Sequence, residues 1–399
     1  MKIAILDSEA IGPIEELKRF DKFGEVKTYS TTNEKELFDR AKNKDVLILN
    51  KVRMDSSVLK KLPDLKLICV CATGTDNVDL EYCNEKGIEV KNVKGYSTDS
   101  VSQLTVSMVL ALSLRLSEQN QSGKSKWQDS PVFSVLNNTF EDISDKSWGI
   151  VGLGSIGKKV ARTATTMGCD VKYFSTTGRN SDPEFTRVEL DALLGCNIIS
   201  IHCPLNENTK DLINASNVSK LKDDCILINV ARGGVVNERA IVDYFNKSNI
   251  KLGFDVASKE PIQGHNPLLE IRDSERLILT PHIGGSTQEA QENIAIEVAD
   301  KLVKYSNNGS TMSAVNFPQV SLPEHDNRHR ILHIHHNRPG VLTQINQVLS
   351  ENNVNISGQY LQTQGDLGYV VTDIEDGSSQ TALDKMRQIE GTIRARILY

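Results

Sequence analysis

The chain has 399 residues, 39% hydrophobic and 25% charged, enough apolar material for roughly two to three packed domains and against wholesale disorder. Lys and Arg total 46 against 52 Asp and Glu, a formal charge of −6, and aromatics are 5%. An acidic chain without a basic run or an aromatic platform is not built to bind nucleic acid or an anionic membrane by charge.

Met1 to Ala10 carries no secretory-signal pattern. The apolar stretch around Met108 to Leu116 is interrupted by Ser113 and Arg115, so it is too short to span a bilayer. The seven cysteines (69, 71, 83, 169, 196, 203 and 225) are odd in number and scattered. That pattern predicts free thiols in a reducing cytosol, with Cys69 and Cys71 packed in a core.

Short apolar runs predict strands at Ile3–Leu6, Val46–Leu49, Leu67–Cys71, Trp148–Val151, Val171–Phe174, Ile198–His202, Cys225–Val230 and Leu277–Thr280. Amphipathic stretches between them make βαβ units, hence parallel sheets. Gly95 to Ser100 reads as a loop before a helix over Val101 to Leu116, whose free N–H groups a hydroxyl or carboxylate could cap. Tyr305 to Arg330, rich in Asn, Ser and Pro, reads as a linker. Beyond it the rhythm changes. Strand Ile331–His335, helix Val341–Asn352, strands Asn355–Thr363 and Gly368–Ile374, helix Gln380–Gln388 and strand Thr392–Leu398 form a βαββαβ, ferredoxin-like pattern.

Strand Trp148–Val151 runs into Gly152-Leu153-Gly154-Ser155-Ile156-Gly157 and then a helical run, Lys158 to Met167. Gly152 permits the tight turn, Gly154 lets backbone approach a pyrophosphate, and Gly157 lets helix pack on strand. The next strand ends in Ser175-Thr176-Thr177-Gly178-Arg179, without the carboxylate that grips the ribose 2′-hydroxyl of NAD. Hydroxyls and Arg179 could accept a 2′-phosphate, which leaves NADP open; alternatively, Ser175 bonds the hydroxyl and NAD binds without a carboxylate.

Three more segments place ionisable groups at strand ends, where ligands bind in open parallel sheets. They are Asn229-Val230-Ala231-Arg232-Gly233, Asp255 to Pro261, and Thr280-Pro281-His282-Ile283-Gly284-Gly285-Ser286-Thr287. Hydride transfer from an alcohol needs a base near neutrality and a cation for the substrate carboxylate. His282 suits the first role, Arg232 the second, and Glu260 could fix and tune the imidazole. The histidines at 325, 329, 333, 335 and 336 complete no known metal-ligand spacing, so no metal is expected.

These residues are where the chain resembles the D-isomer-specific 2-hydroxyacid dehydrogenases, in motif order and approximate spacing over nearly its whole length. The resemblance implies a Rossmann-like nucleotide-binding domain, 98–285, inserted in a flavodoxin-like substrate domain, 1–97 and 286–316. A linker, 317–328, would lead to a ferredoxin-like ACT regulatory domain, 329–399. It implies catalytic roles for Arg232, Glu260 and His282, with the active site in a cleft between the first two domains. The cofactor, NAD or alternatively NADP, would meet Gly152, Gly154, Ser155, Ile156, Gly157, Ser175, Arg179, His202, Cys203, Pro204, Val230, Ala231, Asp255, Gly284 and Gly285. Thr73-Gly74-Thr75 would present backbone N–H groups to the substrate carboxylate.

From Thr280 onward the chain looks like the bacterial 3-phosphoglycerate dehydrogenases of that family. His335, Asn337 and Asn355 match the positions that hold L-serine between paired ACT domains there, which implies a homo-oligomer, tetramer or dimer. The front half departs from them. In place of an Arg-rich stretch it has Lys51 and Arg53, and with Ser97 to Gln103 it looks more like the glycerate and hydroxypyruvate (glyoxylate) reductases. The expected activity is oxidation of 3-phosphoglycerate with serine feedback. The alternatives are an unphosphorylated 2-hydroxy acid, or a nucleotide-sensing binding protein like the co-repressors that share this fold.

Overall fold

The structure, a computed structural model, describes every residue except 12–17, 19, 22–23, 136–139, 179, 272–274, 324–328, 376–378 and 399. It divides into two compact units, Met1–Tyr96 with Gln288–Tyr399, and Ser97–Thr287.

The first unit opens with strands β1 (Lys2–Ile5), β2 (Glu25–Thr28), β3 (Val46–Leu49), β4 (Leu67–Val70) and β5 (Glu89–Asn92). All pair in parallel, in the order β2-β1-β3-β4-β5, the flavodoxin-like arrangement. The Val46–Leu49 and Leu67–Val70 runs are buried on both faces, which is why they read as unbroken apolar segments. Asn33 starts the helix Glu34–Ala41 with a capping box completed by Glu36.

The second unit holds β6 (Ser147–Val151), β7 (Asp170–Phe174), β8 (Thr186–Arg187), β9 (Ile198–Ile201), β10 (Ile226–Asn229), β11 (Lys251–Phe254) and β12 (Leu277–Leu279). The sheet is parallel, ordered β12-β11-β10-β9-β6-β7-β8. Strand order reverses between β6 and β9, the place where doubly wound sheets bind ligands. The long helix spans Thr98–Ser113, three residues earlier than expected at each end. Arg115, at φ 51°, breaks it, and the Ser97 side chain makes no capping bond.

In the first unit the C-terminal strands are β13 (His329–His336), β14 (Ile356–Gln364), β15 (Leu367–Ile374) and β16 (Thr392–Ile397). They form an antiparallel sheet ordered β14-β15-β13-β16, with helices Val341–Glu351 and Ser379–Met386 completing βαββαβ. One face of this sheet packs on its helices through Ile331, Ile345, Leu349, Val370 and Met386. The other face, through Leu332, Tyr369 and Val371, covers Leu322.

The expected linker is not a loose tether. The helix Gln288–Asn308 runs into it, and Asn308, Ser310, Thr311, Asn316, Phe317 and Leu322 are buried. The polar ones stand in for backbone partners. Asn316 accepts the Val90 N–H at 2.8 Å and donates to the Ile88 carbonyl at 2.9 Å, while Asn308 donates to the Leu322 carbonyl at 2.9 Å. Among the described residues no single helix is long and apolar enough to cross a membrane.

Candidate active site

The glycine turn follows β6. Gly152 takes φ 93°, and its N–H donates to the Phe174 carbonyl at 2.9 Å. A Cβ on Gly157 would stand 2.1 Å from the Gly152 carbonyl oxygen, so only glycine lets the helix Ser155–Thr166 pack this close. Among the described residues outside its own chain neighbours, nothing lies within 4 Å of a Cβ built on Gly154. The first-turn N–H groups of Ser155, Ile156 and Gly157 have no intrahelical partner, and their N-cap, Gly154, has no side chain to offer them. Open space over a glycine at a helix start fits a dinucleotide pyrophosphate.

His202, Cys203 and Pro204 follow β9, with the His202 N–H on the Val151 carbonyl at 2.8 Å. They lie against the cradle, since a Cβ on Gly152 would touch the Cys203 backbone nitrogen at 2.9 Å. Trp148 Nε1–H donates to Ser200 Oγ at 2.9 Å, and Ser200 Oγ lies 2.9 Å from His202 Nε2. Burial pushes the His202 imidazole down to about 3 and the Cys203 thiol up to about 11. Neither is a candidate for proton transfer near neutrality. Ser175 is buried beside the cradle; Arg179 lies outside the described residues.

The ionisable groups sit at the C-terminal ends of three neighbouring strands. After β10, Asn229 ties the turn: its Oδ1 accepts the Ala231 N–H at 3.2 Å and its Nδ2 donates to the Arg232 carbonyl at 3.0 Å. Val230 is buried, and Arg232 Nη1 donates to the Ala231 carbonyl at 2.8 Å. After β11 comes Glu260, whose Oε1 accepts the Ala257 N–H at 2.9 Å. After β12 comes His282, with Nδ1 2.5 Å from Glu260 Oε2. Both side chains are about one-third exposed, at 32% and 34%. With Nδ1 held by a carboxylate, Nε2 is the nitrogen left to exchange a proton with a bound molecule.

Asp255, expected to flank the cofactor, also holds the histidine loop. Its carboxylate is buried and spent on the histidine loop. Oδ1 accepts Thr280 Oγ1–H at 2.6 Å and the Ile283 N–H at 2.8 Å, and Oδ2 accepts the Gly284 N–H at 2.8 Å. It thus grips both sides of His282, which sits at φ 55°. Sequence reasoning missed Glu238, which accepts bonds from Ser258 and Asn266 and so shapes the 255–260 loop. A glutamate at a helix start carries no sequence sign of that role.

In the other unit, the Thr73–Thr75 turn follows β4. Thr73 Oγ1–H donates to the Val93 carbonyl at 3.0 Å, and Thr73 accepts from Asn92 Nδ2 at 2.6 Å. Asp7, buried after β1, accepts the N–H groups of two residues that follow β3, Asn50 at 2.8 Å and Lys51 at 2.6 Å. Arg53 is 80% exposed, with Nε 3.7 Å from Asp55.

The three expected effector residues are not brought together within one chain. β13 and β14 both run antiparallel to β15. His335 and Asn337 therefore lie at the Leu367 end of the sheet, and Asn355, preceding β14, at the Ile374 end. The His335 ring is buried over Gly368, while Asn337 and Asn355 are exposed. Of the candidate metal histidines, His325 lies outside the described residues, and no metal-holding group occurs among those described.

Comparison with known proteins agrees with this arrangement. Residues 106–284 match the D-isomer specific 2-hydroxyacid dehydrogenase, NAD binding domain, and residues 331–394 the AHAS small subunit-like ACT domain. The chain is 38% identical to D-3-phosphoglycerate dehydrogenase of Haemophilus influenzae, covering 88% of this chain and 85% of that one. It is 41% identical to the enzyme of that name from Escherichia coli, over 83% and 80%. Among solved structures it resembles Aquifex aeolicus D-lactate dehydrogenase complexed with NAD and lactic acid, with TM-score 0.70, 26% identity, and 80% and 100% coverage. A cradle at the switch point, a carboxylate-held histidine and these relatives together place the chain in the D-isomer-specific 2-hydroxyacid dehydrogenase family, as an NAD-dependent oxidoreductase carrying an ACT domain.

Proposed function

We propose that the protein oxidises the C2 hydroxyl of 3-phosphoglycerate to a ketone, giving 3-phosphohydroxypyruvate, and that L-serine restrains it through the ACT domain. The observation that carries the chemistry is the 2.5 Å contact between His282 and Glu260 at the ends of adjacent strands. His282 Nε2 takes the hydroxyl proton as the C2–H bond breaks, and Glu260 faces the positive charge that the ring gains. Arg232, delivered by the neighbouring strand, holds the substrate carboxylate through its fork and favours the developing carbonyl dipole. The hydride acceptor is the nicotinamide supplied by bound NAD+. The names of the two relatives support the phosphorylated substrate, and Lys51 and Arg53 are the cations we assign to the phosphate.

A second reading, an unphosphorylated 2-hydroxy acid, is favoured by one observation. Arg53 is shared with Asp55 and mostly solvent-exposed, a weak phosphate clamp. Initial rates with NAD+ separate the two. The account expects kcat/KM for 3-phosphoglycerate roughly tenfold or more above that for D-glycerate, lowered by Lys51→Ala and Arg53→Ala. Equal or reversed preference moves the assignment to the second reading.

The separation of Asn355 from His335 and Asn337 supports a serine site completed by a second copy of the chain. An apolar loop in the nucleotide-binding unit supports self-association as well. Trp127 is 59% exposed, Val132 66% and Phe133 93%, and Trp127 Nε1–H fastens the loop to the Phe133 carbonyl at 3.0 Å. Every cysteine is buried and free, which supports placement in the cytosol.

A further inference from the structure

We infer that Asn77 is a positioning residue that selects the phosphorylated acid by its length. It ties the Lys51–Arg53 segment to the Thr73–Thr75 turn, so that the phosphate cations and the carboxylate donors keep the spacing that one phosphorylated three-carbon acid spans. The inference rests on the reading that Lys51 and Arg53 meet the substrate phosphate.

The two segments follow adjacent strands. β3 and β4 pair in parallel with Leu49 beside Val70, and the Cys71 N–H donates to the Leu49 carbonyl at 2.7 Å. Beyond Leu49, side chains take over the backbone of residues 50–52. Asp7 holds the N–H groups of Asn50 and Lys51, and Asn50 Nδ2 donates to the Ala10 carbonyl. Val52 and Met54 are buried among the apolar residues of this sheet, while Lys51 and Arg53 are exposed. That alternation anchors every second residue and turns both cations outward. A segment held this way carries its cations wherever its backbone is fixed.

Asn77 fixes it from the carbonyl side. Its Nδ2 donates to the Asn50 carbonyl at 3.2 Å and to the Val52 carbonyl at 2.9 Å, so one amide holds the carbonyls on either side of Lys51. The same residue ends the turn after β4. The Val78 N–H donates to the Thr75 carbonyl at 3.0 Å, and the Asn77 carbonyl accepts the Met54 N–H at 2.7 Å. Met54 and Val78 form a parallel bridge, with the Asp79 N–H on the Met54 carbonyl at 2.9 Å. Asn77 therefore belongs to both segments. Its role needs two donors on one nitrogen; an aspartate of the same shape would turn acceptors toward both carbonyls. The turn serves any 2-hydroxy acid, since all carry the carboxylate. The cations serve only an acid that carries a phosphate. A change in their spacing therefore penalises the phosphorylated acid selectively.

Initial rates of the full-length protein with saturating NAD+, on 3-phosphoglycerate and on D-glycerate, test this. Asn77→Ala should raise KM for 3-phosphoglycerate about fivefold to fiftyfold with kcat within about twofold. Its kcat/KM for D-glycerate should stay within about threefold of wild type, so the preference for the phosphorylated acid falls roughly tenfold. Asp7→Asn, which loosens the grip on the N–H side, should move the preference the same way, and it carries the test if Asn77→Ala does not fold. A preference unmoved in Asn77→Ala, or in Asp7→Asn where that variant stands in, overturns the inference. So does an equal fall in kcat/KM for both acids, which would make the contact a matter of stability alone. Equal kcat/KM for the two acids in wild type would overturn it differently, by removing the phosphate reading beneath it.

Discussion

His282 stands in the left-handed region, at φ 55°, where few side chains other than Asn, Asp and His are tolerated. Asp255 holds it there, because its two oxygens collect three donors from Thr280, Ile283 and Gly284 on either side of the histidine. An Asn at this position keeps one oxygen and turns an amide N–H₂ toward a donor. Asp255→Asn is expected to release the 280–284 loop and lower kcat roughly tenfold to a hundredfold, with faster amide exchange at Ile283 and Gly284. An unchanged kcat would show that the histidine holds its place by other means. Glu260→Gln keeps an acceptor for Ala257 but removes the charge facing the ring. Its kcat should fall by about tenfold or more while NAD+ still binds. The residue types of the acid–base set were legible in the sequence because each stands alone at a strand end. The grip of Asp255 on this loop was not legible, since two of its three donors are backbone N–H groups that no motif marks.

At the level of elements, strand β13 buries two histidines that its alternating pattern places on one face. Thr392 Oγ1–H donates to the Met386 carbonyl at 3.0 Å, so the same oxygen accepts from His333 Nε2, 2.9 Å away. His333 Nδ1 is buried with no hydrogen-bond partner among the described residues. Burial, and secondarily His335, push the His333 imidazole down from 6.5 to about 4. In the unfolded chain this ring takes a proton below its ordinary value; in the folded chain it does so only near 4. Stability is therefore lost as pH falls through that window, by on the order of 3 kcal/mol once both states are protonated. Thermal unfolding of wild type and His333→Gln between about pH 7 and about pH 4.5 reads this out, the variant showing the flatter dependence. Equal slopes would place the acid sensitivity elsewhere. Strands and helices were legible because their periods differ. The stretch 305–323 reads as a linker because short amides and hydroxyls look like loop formers, yet Asn308 and Asn316 here replace missing backbone partners inside a core.

On the scale of the whole molecule, the ACT sheet and the flavodoxin-like sheet belong to one compact unit. Arg330 is fully buried, bonding Asp373 through two nitrogens at 2.6 and 2.7 Å and the Asn308 carbonyl at 2.9 Å. Arg330→Ala leaves Asp373 and these acceptors unpaired and should cost about 3–5 kcal/mol in denaturant unfolding. A loss under about 1 kcal/mol would mean that the sheet is held by apolar packing alone. Deleting residues 329–399 would bare Phe317, Leu322 and Tyr305, so truncation is a poor probe of serine control. Asn337→Ala and Asn355→Ala are the better ones, each expected to weaken serine inhibition while sparing turnover without serine. Full inhibition in both would remove serine from the account. The claim on which all of this depends is that His282 accepts the hydroxyl proton as hydride leaves. A single-turnover measurement of reduced-nicotinamide formation in His282→Ala, with 3-phosphoglycerate and saturating NAD+, tests it most directly. The account predicts a rate lowered by about 10²- to 10⁴-fold with NAD+ still bound, and a wild-type rate in that variant would contradict it.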